Sequence, residues 1–219
     1  MDSVGEAFVF PFRGERWLER MVVQALILII PVVGWIAMTG WMMLVFENAR
    51  AGRRELPPAG FHLARGIGIF GVFVIYGLVL NVPTWVLYTA GGIASGAASG
   101  RGFNVGAPLS ALGFIWMWVA GLLLDFLVPS LIVNTYHGGF AGGMDVLRVW
   151  RLATVNVGNA VVAGLVVWVA SVIGPLGFVL CCVGVFLTTV YQNAVQAGAA
   201  AWFEGAQSAP ATPPAPATP

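Results

Sequence analysis

The stretch from Leu152 to Phe203, LATVNVGNAVVAGLVVWVASVIGPLGFVLCCVGVFLTTVYQNAVQAGAAAWF, runs for 52 residues without a charged side chain. As one straight helix it would measure roughly 78 Å at about 1.5 Å per residue. A hydrocarbon core is about 30 Å thick and is crossed by about 20 apolar residues. The stretch is therefore far too long for one crossing and suits two. Ile173-Gly174-Pro175 supplies the expected turn, since Gly frees the backbone and Pro has no amide hydrogen to continue a helical ladder. Four further charge-free runs lie upstream: Met21 to Phe46, Gly66 to Gly100, Gly102 to Leu124 and Phe126 to Met144.

The composition agrees with that reading. Of 219 residues, 59% are hydrophobic and 9% charged, with a mean hydropathy of +0.89, whereas a soluble domain carries about 25% charged residues. There is too little polar side chain to cover a water-exposed surface, so lipid is the expected solvent. A net charge of +1 offers no basic field for nucleic acid, which is excluded as a partner. Two adjacent cysteines, Cys181 and Cys182, exclude a disulfide framework.

The first run has two readings, one tilted helix or a helical hairpin turning at Pro31-Val32-Val33-Gly34. Arginine placement selects the hairpin. It puts Arg13, Arg16, Arg20, Arg50, Arg53, Arg54, Arg65, Arg148 and Arg151 on one side and leaves only Arg101 opposite. Short flanks normally keep their positive charge in the cytoplasm. The expected fold is thus all-α, a polytopic transmembrane bundle of about six helices arranged as three hairpins, with both termini cytoplasmic. The helices are placed at about 15–30, 33–50, 66–90, 108–131, 155–173 and 176–203. Residues 1–14 form an N-terminal interfacial segment, 15–206 the transmembrane domain, and 207–219 a disordered Pro/Ala/Thr tail. Arg13, Arg16, Trp17, Arg50, Arg53 and Arg54 are the expected membrane-interface anchors, the Arg50, Arg53, Arg54 cluster also touching anionic lipid headgroups. Phe46-Glu47-Asn48-Ala49 and Tyr191-Gln192-Asn193-Ala194 echo each other after their turn prolines, which fits either an internal duplication or chance in an apolar chain.

Few residues offer chemistry. Gly66-Ile67-Gly68-Ile69-Phe70-Gly71 meets the glycine spacing of a dinucleotide-binding turn, yet no strand precedes it and no carboxylate follows some twenty residues on. Those glycines are better read as sites where a neighbouring helix approaches closely. Asp125 is the one acid well inside an expected span. A charge there costs roughly 2.5 to 3.5 kcal/mol, so such residues face the bundle interior and find a partner. Asn81, beside Pro83, is the expected partner, and Trp118, Gly121, Asp125 and Pro129 share an expected helix-contact stripe. Asp125 is then either a proton or cation site or a hydrogen-bonded structural acid. His62, His137, Cys181 and Cys182 are too far apart in depth to form a metal site. Ser130 and His137 lie about 10 Å apart along one helix, so no nucleophile and base meet. No cofactor is expected.

The entry into the bundle carries a family likeness: Ala7-Phe8-Val9-Phe10-Pro11-Phe12-Arg13, then Trp17-Leu18, the Ile30-Pro31-Val32-Val33-Gly34 break, and Arg53-Arg54-Glu55-Leu56-Pro57 leading to Gly66. In this order these elements resemble the domain of unknown function 4013 family of bacterial and archaeal multi-pass membrane proteins. The likeness departs after Pro57, where the family tends to carry an acidic, Trp-containing stretch and this chain reads Pro58-Ala59-Gly60-Phe61-His62. It implies a six-helix membrane module and brings no activity with it. The expected function is non-enzymatic, in assembly, lipid organisation or as a partner subunit, with a membrane-protein partner or a second copy as binding partner. The alternative is a small transporter or channel built on Asp125 and Asn81. The expected location is the cytoplasmic membrane of a prokaryote.

Overall fold

The computed structural model describes residues 3–53, 55–97 and 106–208, with the side chains of residues 180–183 outside that description. Among the described residues the fold is all-α and holds eight α-helices: α1 (Glu6–Val9), α2 (Trp17–Leu28), α3 (Val33–Arg50), α4 (Leu63–Ala97), α5 (Gly106–Met144), α6 (Val146–Val155), α7 (Val157–Leu176) and α8 (Cys181–Ser208). Three described helical stretches are long and apolar enough to cross a membrane: Leu63–Ala97, Gly106–Met144 and Val157–Val179. The six expected ranges fall on α2, α3, α4, α5, α7 and α8, but six full crossings in three hairpins are not what the structure holds.

The α2 helix is the plainest correction. It has 12 residues, about 18 Å of rise, short of a hydrocarbon core about 30 Å thick. The chain does reverse at the expected break. Val32 adopts φ 62°, ψ −57°, and Val33 N donates to Pro31 O at 2.6 Å across it, a γ-turn of the strained hand. Gly34 then lets α3 lie directly on the backbone of Ile27 and Leu28.

A second correction concerns the turn between α7 and α8. Pro175 is accommodated inside α7, and the helix continues to Leu176 before a 3-10 segment over Gly177–Leu180. Gly177 is itself helical, with φ −59° and ψ −21°, and lets α8 pack close after the reversal, because Thr188 Oγ1 and the backbone of Gly184 stand where a Cβ would be. From there α8 runs through the middle of the bundle, against α1, α2, α3, α5 and α7. Its Ala194, Ala197, Ala199 and Ala200 are fully buried, and small side chains of this kind let helices approach closely where no hydrophobic force drives them together.

The helices α4 and α5 exceed their expected lengths. The break in α5 comes at Gly139, with φ 60° and ψ −155°, a conformation open to glycine alone. Beyond it the chain enters α6, which none of the six expected helix ranges covers. Asp145 caps it by accepting from Arg148 N at 3.0 Å, and Val149 and Ala153 bury against Val72, Tyr76, Leu127 and Leu131. At the other end, Thr84 and Gly91 of α4 and Gly106 and Gly113 of α5 are buried, with Gly91 against Gly106 and Ser110, and Gly113 against Thr84 and Leu87. Trp85 and Ile93 on α4 and Leu112 and Ile115 on α5 point outward.

Residues 3–12 join the core as well. Ala7 and Phe10 are buried, Tyr191 Oη donates to Phe8 O at 3.0 Å, and Phe12 stacks on Tyr191 with centroids 5.2 Å apart. At the other terminus α8 extends to Ser208, so Gln207 and Ser208 are helical where a tail was expected. Residues 209–219 lie outside the described residues.

Candidate functional site

Asp125 opens on a cleft of about 540 Å³ shared by α3, α4, α5, α7 and α8. It lies on α5 about 21 Å from the Gly139 break at ~1.5 Å per residue, where the ladder of an apolar helix leaves only the side chain to satisfy. Ser171 Oγ on α7 donates to Asp125 Oδ1 at 3.1 Å and accepts from Gln192 Nε2 on α8 at 3.4 Å. Gly174 permits this chain of contacts, because a Cβ there would occupy the place of Gln192 Oε1. Oδ2 of Asp125 takes no hydrogen bond among the described residues.

Thr39, Thr189 and Gln196 line the same cleft. Thr39 Oγ1 is committed to its own backbone surroundings, Ile36 O at 3.0 Å and Gly66 O at 3.2 Å. Gln196 is different. It is 8% exposed, and its amide makes no hydrogen bond among the described residues. Its amide atoms are not sealed off from the surface, so they reach the cleft, where an occupant can meet them. The walls opposite are aromatic and aliphatic, Trp35, Phe70 and Phe178 among them. The arrangement therefore places one open carboxylate oxygen and an amide with no hydrogen bond among the described residues in an open cleft with largely apolar walls.

The expected partnership of Asp125 with Asn81 is replaced by the one with Ser171. Asn81 Nδ2 donates to Gly77 O on its own helix at 2.8 Å and does not line the cleft. The expected contact stripe also splits, since Pro129 is buried while Trp118 is 56% exposed and nothing lies within 4 Å of a Cβ on Gly121. Sequence reasoning missed Ser171, Gln192 and Gln196. A signal existed: Thr189, Gln192, Asn193 and Gln196 recur at helical spacing within an apolar run, which puts four polar side chains on one face.

The glycine motif of α4 has a packing role. At Gly66 a Cβ would strike Ile36 O and stand 2.9 Å from Gly40 N, whereas at Gly68 the nearest atom is 3.8 Å away. His137 Nε2 pairs with Glu204 Oε1 at 2.6 Å, and Ser130 Oγ is buried without a partner among the described residues, so the two are not joined as base and nucleophile. Among the described residues no three His, Cys, Asp or Glu side chains converge as metal ligands. The side chains of Cys181 and Cys182 lie outside the description.

The arginine anchors are mostly engaged. Arg13 pairs with Glu6 at 3.2 Å, Arg50 with Glu204 at 2.8 Å, and Arg53 Nε donates to Asn48 Oδ1 at 2.8 Å. Arg16 is exposed at the head of α2, and Arg54 lies outside the described residues. Trp17 is partly buried against the core, edge-on to Phe12. The Glu55-Leu56-Pro57 connector is held at three successive carbonyls: Asn48 Nδ2 donates to Glu55 O at 3.0 Å, Arg20 to Leu56 O, and the buried Trp41 Nε1 to Pro57 O at 3.3 Å.

A family model described as protein of unknown function (DUF4013) matches residues 23–183, more than half of the chain. The chain belongs to that family. The Ile30 to Gly34 break and the Arg53 to Pro57 connector fall inside the matched range, while the Phe-Pro-Phe-Arg start and all of α8 beyond residue 183 fall outside it. No curated protein and no solved structure matches this DUF4013 member.

Proposed function

We propose that this DUF4013 member is a non-enzymatic membrane protein that works by binding, holding a small cation or hydrogen-bond-donating solute in the cleft at Asp125. The observation that carries the reading is the pairing in one cleft of the open Oδ2 of Asp125 with the Gln196 amide, neither of which has a hydrogen-bond partner among the described residues. The cleft presents one carboxylate with amides and hydroxyls, a set suited to coordination, whereas hydrolytic chemistry calls for a second acid or a nucleophile with its base. Intramembrane acids that face a water-accessible cavity mark ion and substrate pathways, which favours use as a small transporter or channel.

A second reading, a partner subunit or homo-oligomer, is favoured by the outer reach of α4 and α5, whose Trp85, Ile93, Leu112 and Ile115 face away from the bundle. The family likeness and the arginine distribution support the cytoplasmic membrane of a prokaryote, with both termini cytoplasmic.

The test is water access. In a background with Cys181 and Cys182 replaced by Ser, Asp125→Cys and Gln196→Cys should react with a small membrane-impermeant thiol reagent in liposomes, and Leu131→Cys, fully buried, should not. Small cations or amines should slow the labelling of Gln196→Cys, and adding Asp125→Asn to that variant should leave it folded and abolish the protection. If both cleft cysteines stay as unreactive as Leu131→Cys, the cleft is dry and the reading fails.

A further inference from the structure

A second cavity, of about 410 Å³, lies between α5, α6 and α8, where His137, Arg148, Arg151, Glu204 and Gln207 face it. The sequence gives two of these arginines no task beyond topology. In the structure Glu204 is already met twice, by Arg50 at 2.8 Å and by His137 at 2.6 Å. Arg148 and Arg151 have no carboxylate within ion-pair distance among the described residues. The cavity is therefore left with two guanidinium groups and only one carboxylate, itself paired with His137 in the lining and with Arg50 outside it.

The depth of the cavity is set by its helix. α6 begins two residues after one membrane-length helix ends at Met144 and finishes two residues before the next begins at Val157. It sits at the shared end of two spans. Its Val149 and Ala153 are buried, while Leu147 is 76% and Trp150 51% exposed. A short amphipathic helix with outward Leu and Trp beside Arg is the pattern of a segment lying at headgroup level.

We infer that this cavity seats the phosphate of an anionic phospholipid, gripped by Arg148 and Arg151, with its acyl chains running along the exposed Leu147 and Trp150. The planar guanidinium fork matches phosphate oxygens in pairs. Basic pockets between helices at this level are where acidic headgroups bind. The site is separate from the cleft at Asp125, and either can fail without the other.

The experiment compares phosphatidylglycerol with phosphatidylcholine retained on the purified full chain by native mass spectrometry, in nanodiscs of both lipids. The variant R148Q/R151Q should lose preference for phosphatidylglycerol by about 30-fold, the equivalent of about 1 kcal/mol for each arginine. R53Q, which alters an exposed arginine engaged by Asn48, should change it by less than about threefold if surface charge acts only diffusely. R148K/R151K keeps the charge and should keep a measurable part of the preference. Equal losses in R53Q and R148Q/R151Q, or none in either, overturn the site. Displacement of the lipid by millimolar inorganic phosphate overturns the lipid as occupant. Should R148Q/R151Q elute as aggregate, R148K/R151K decides: no preference for the anionic lipid in that folded variant overturns the inference.

Discussion

Replacing Gly66 by alanine adds a single methyl group where α3 and α4 touch backbone to backbone. Two effects oppose each other. Alanine is the better helix former by about 1 kcal/mol, which favours the variant. Against it, the new Cβ would collide with Ile36 O and stand 2.9 Å from Gly40 N. Both are main-chain atoms that no rotamer change can move, so the overpacking falls near the upper end of its usual range, about 3 kcal/mol. Separating the helices also stretches the bond from Thr39 Oγ1 to Gly66 O, now 3.2 Å. The expected net loss is about 2 kcal/mol. Gly68→Ala supplies the control: its nearest neighbour is Phe140 N at 3.8 Å, so only the helix-forming gain remains, up to about 1 kcal/mol. Unfolding both variants with SDS in mixed micelles, followed by tryptophan fluorescence, measures the difference. A glycine-rich ligand loop would need both glycines alike. If Gly66→Ala is as stable as the parent, or if Gly68→Ala falls with it, the close-packing account of this motif is wrong.

Two other substitutions probe the hairpin and the ion pairs. Val32→Gly should raise stability by about 1 kcal/mol, because a β-branched residue is held at φ 62° and glycine adopts that region freely; a lower melting temperature in detergent would mean the turn is not strained. Glu204→Gln should cost about 1 to 3 kcal/mol, since it unpairs both Arg50 and His137 at a carboxylate whose side chain is 15% exposed. Glu47→Gln, whose pair with Arg65 is 35% and 54% exposed, should cost about 0.5 kcal/mol. Equal melting shifts for the two would count against the difference in burial as the cause.

The apolar runs were legible as helices because length and the absence of charge are properties of the chain itself. The break at Pro31 to Gly34 was legible from its proline and glycine and from the side on which the arginines fall, and the close-contact reading of Gly66, which α3 fulfils through Gly40, from the spacing of the glycines. The α6 helix was not read, although Asp145 three residues before Arg148 is a cap signal; the charged Arg148 and Arg151 made the segment look like connector. The α2 helix was expected to cross because its run is apolar, but between its start at Trp17 and the turn at Pro31 there is room for only 12 helical residues. Asp125 stood out as a lone acid in an apolar span, whereas its partner Ser171 is 46 residues away in sequence, and a hydroxyl in an apolar run carries no mark of whom it meets.

By itself the sequence determined that lipid surrounds this chain, that its backbone must close its hydrogen bonds within helices, and that Asp125 is the polar group most in need of a partner. Only the tertiary structure decided which partner that is, that Gln196 waits in the same cleft without one, and that α2 stops short of a crossing. The physical reason is that composition sets the medium and helical period sets the faces of each rod. Rotation and depth of one rod against another depend on where glycine and alanine let backbones touch, and those contacts join residues far apart along the chain.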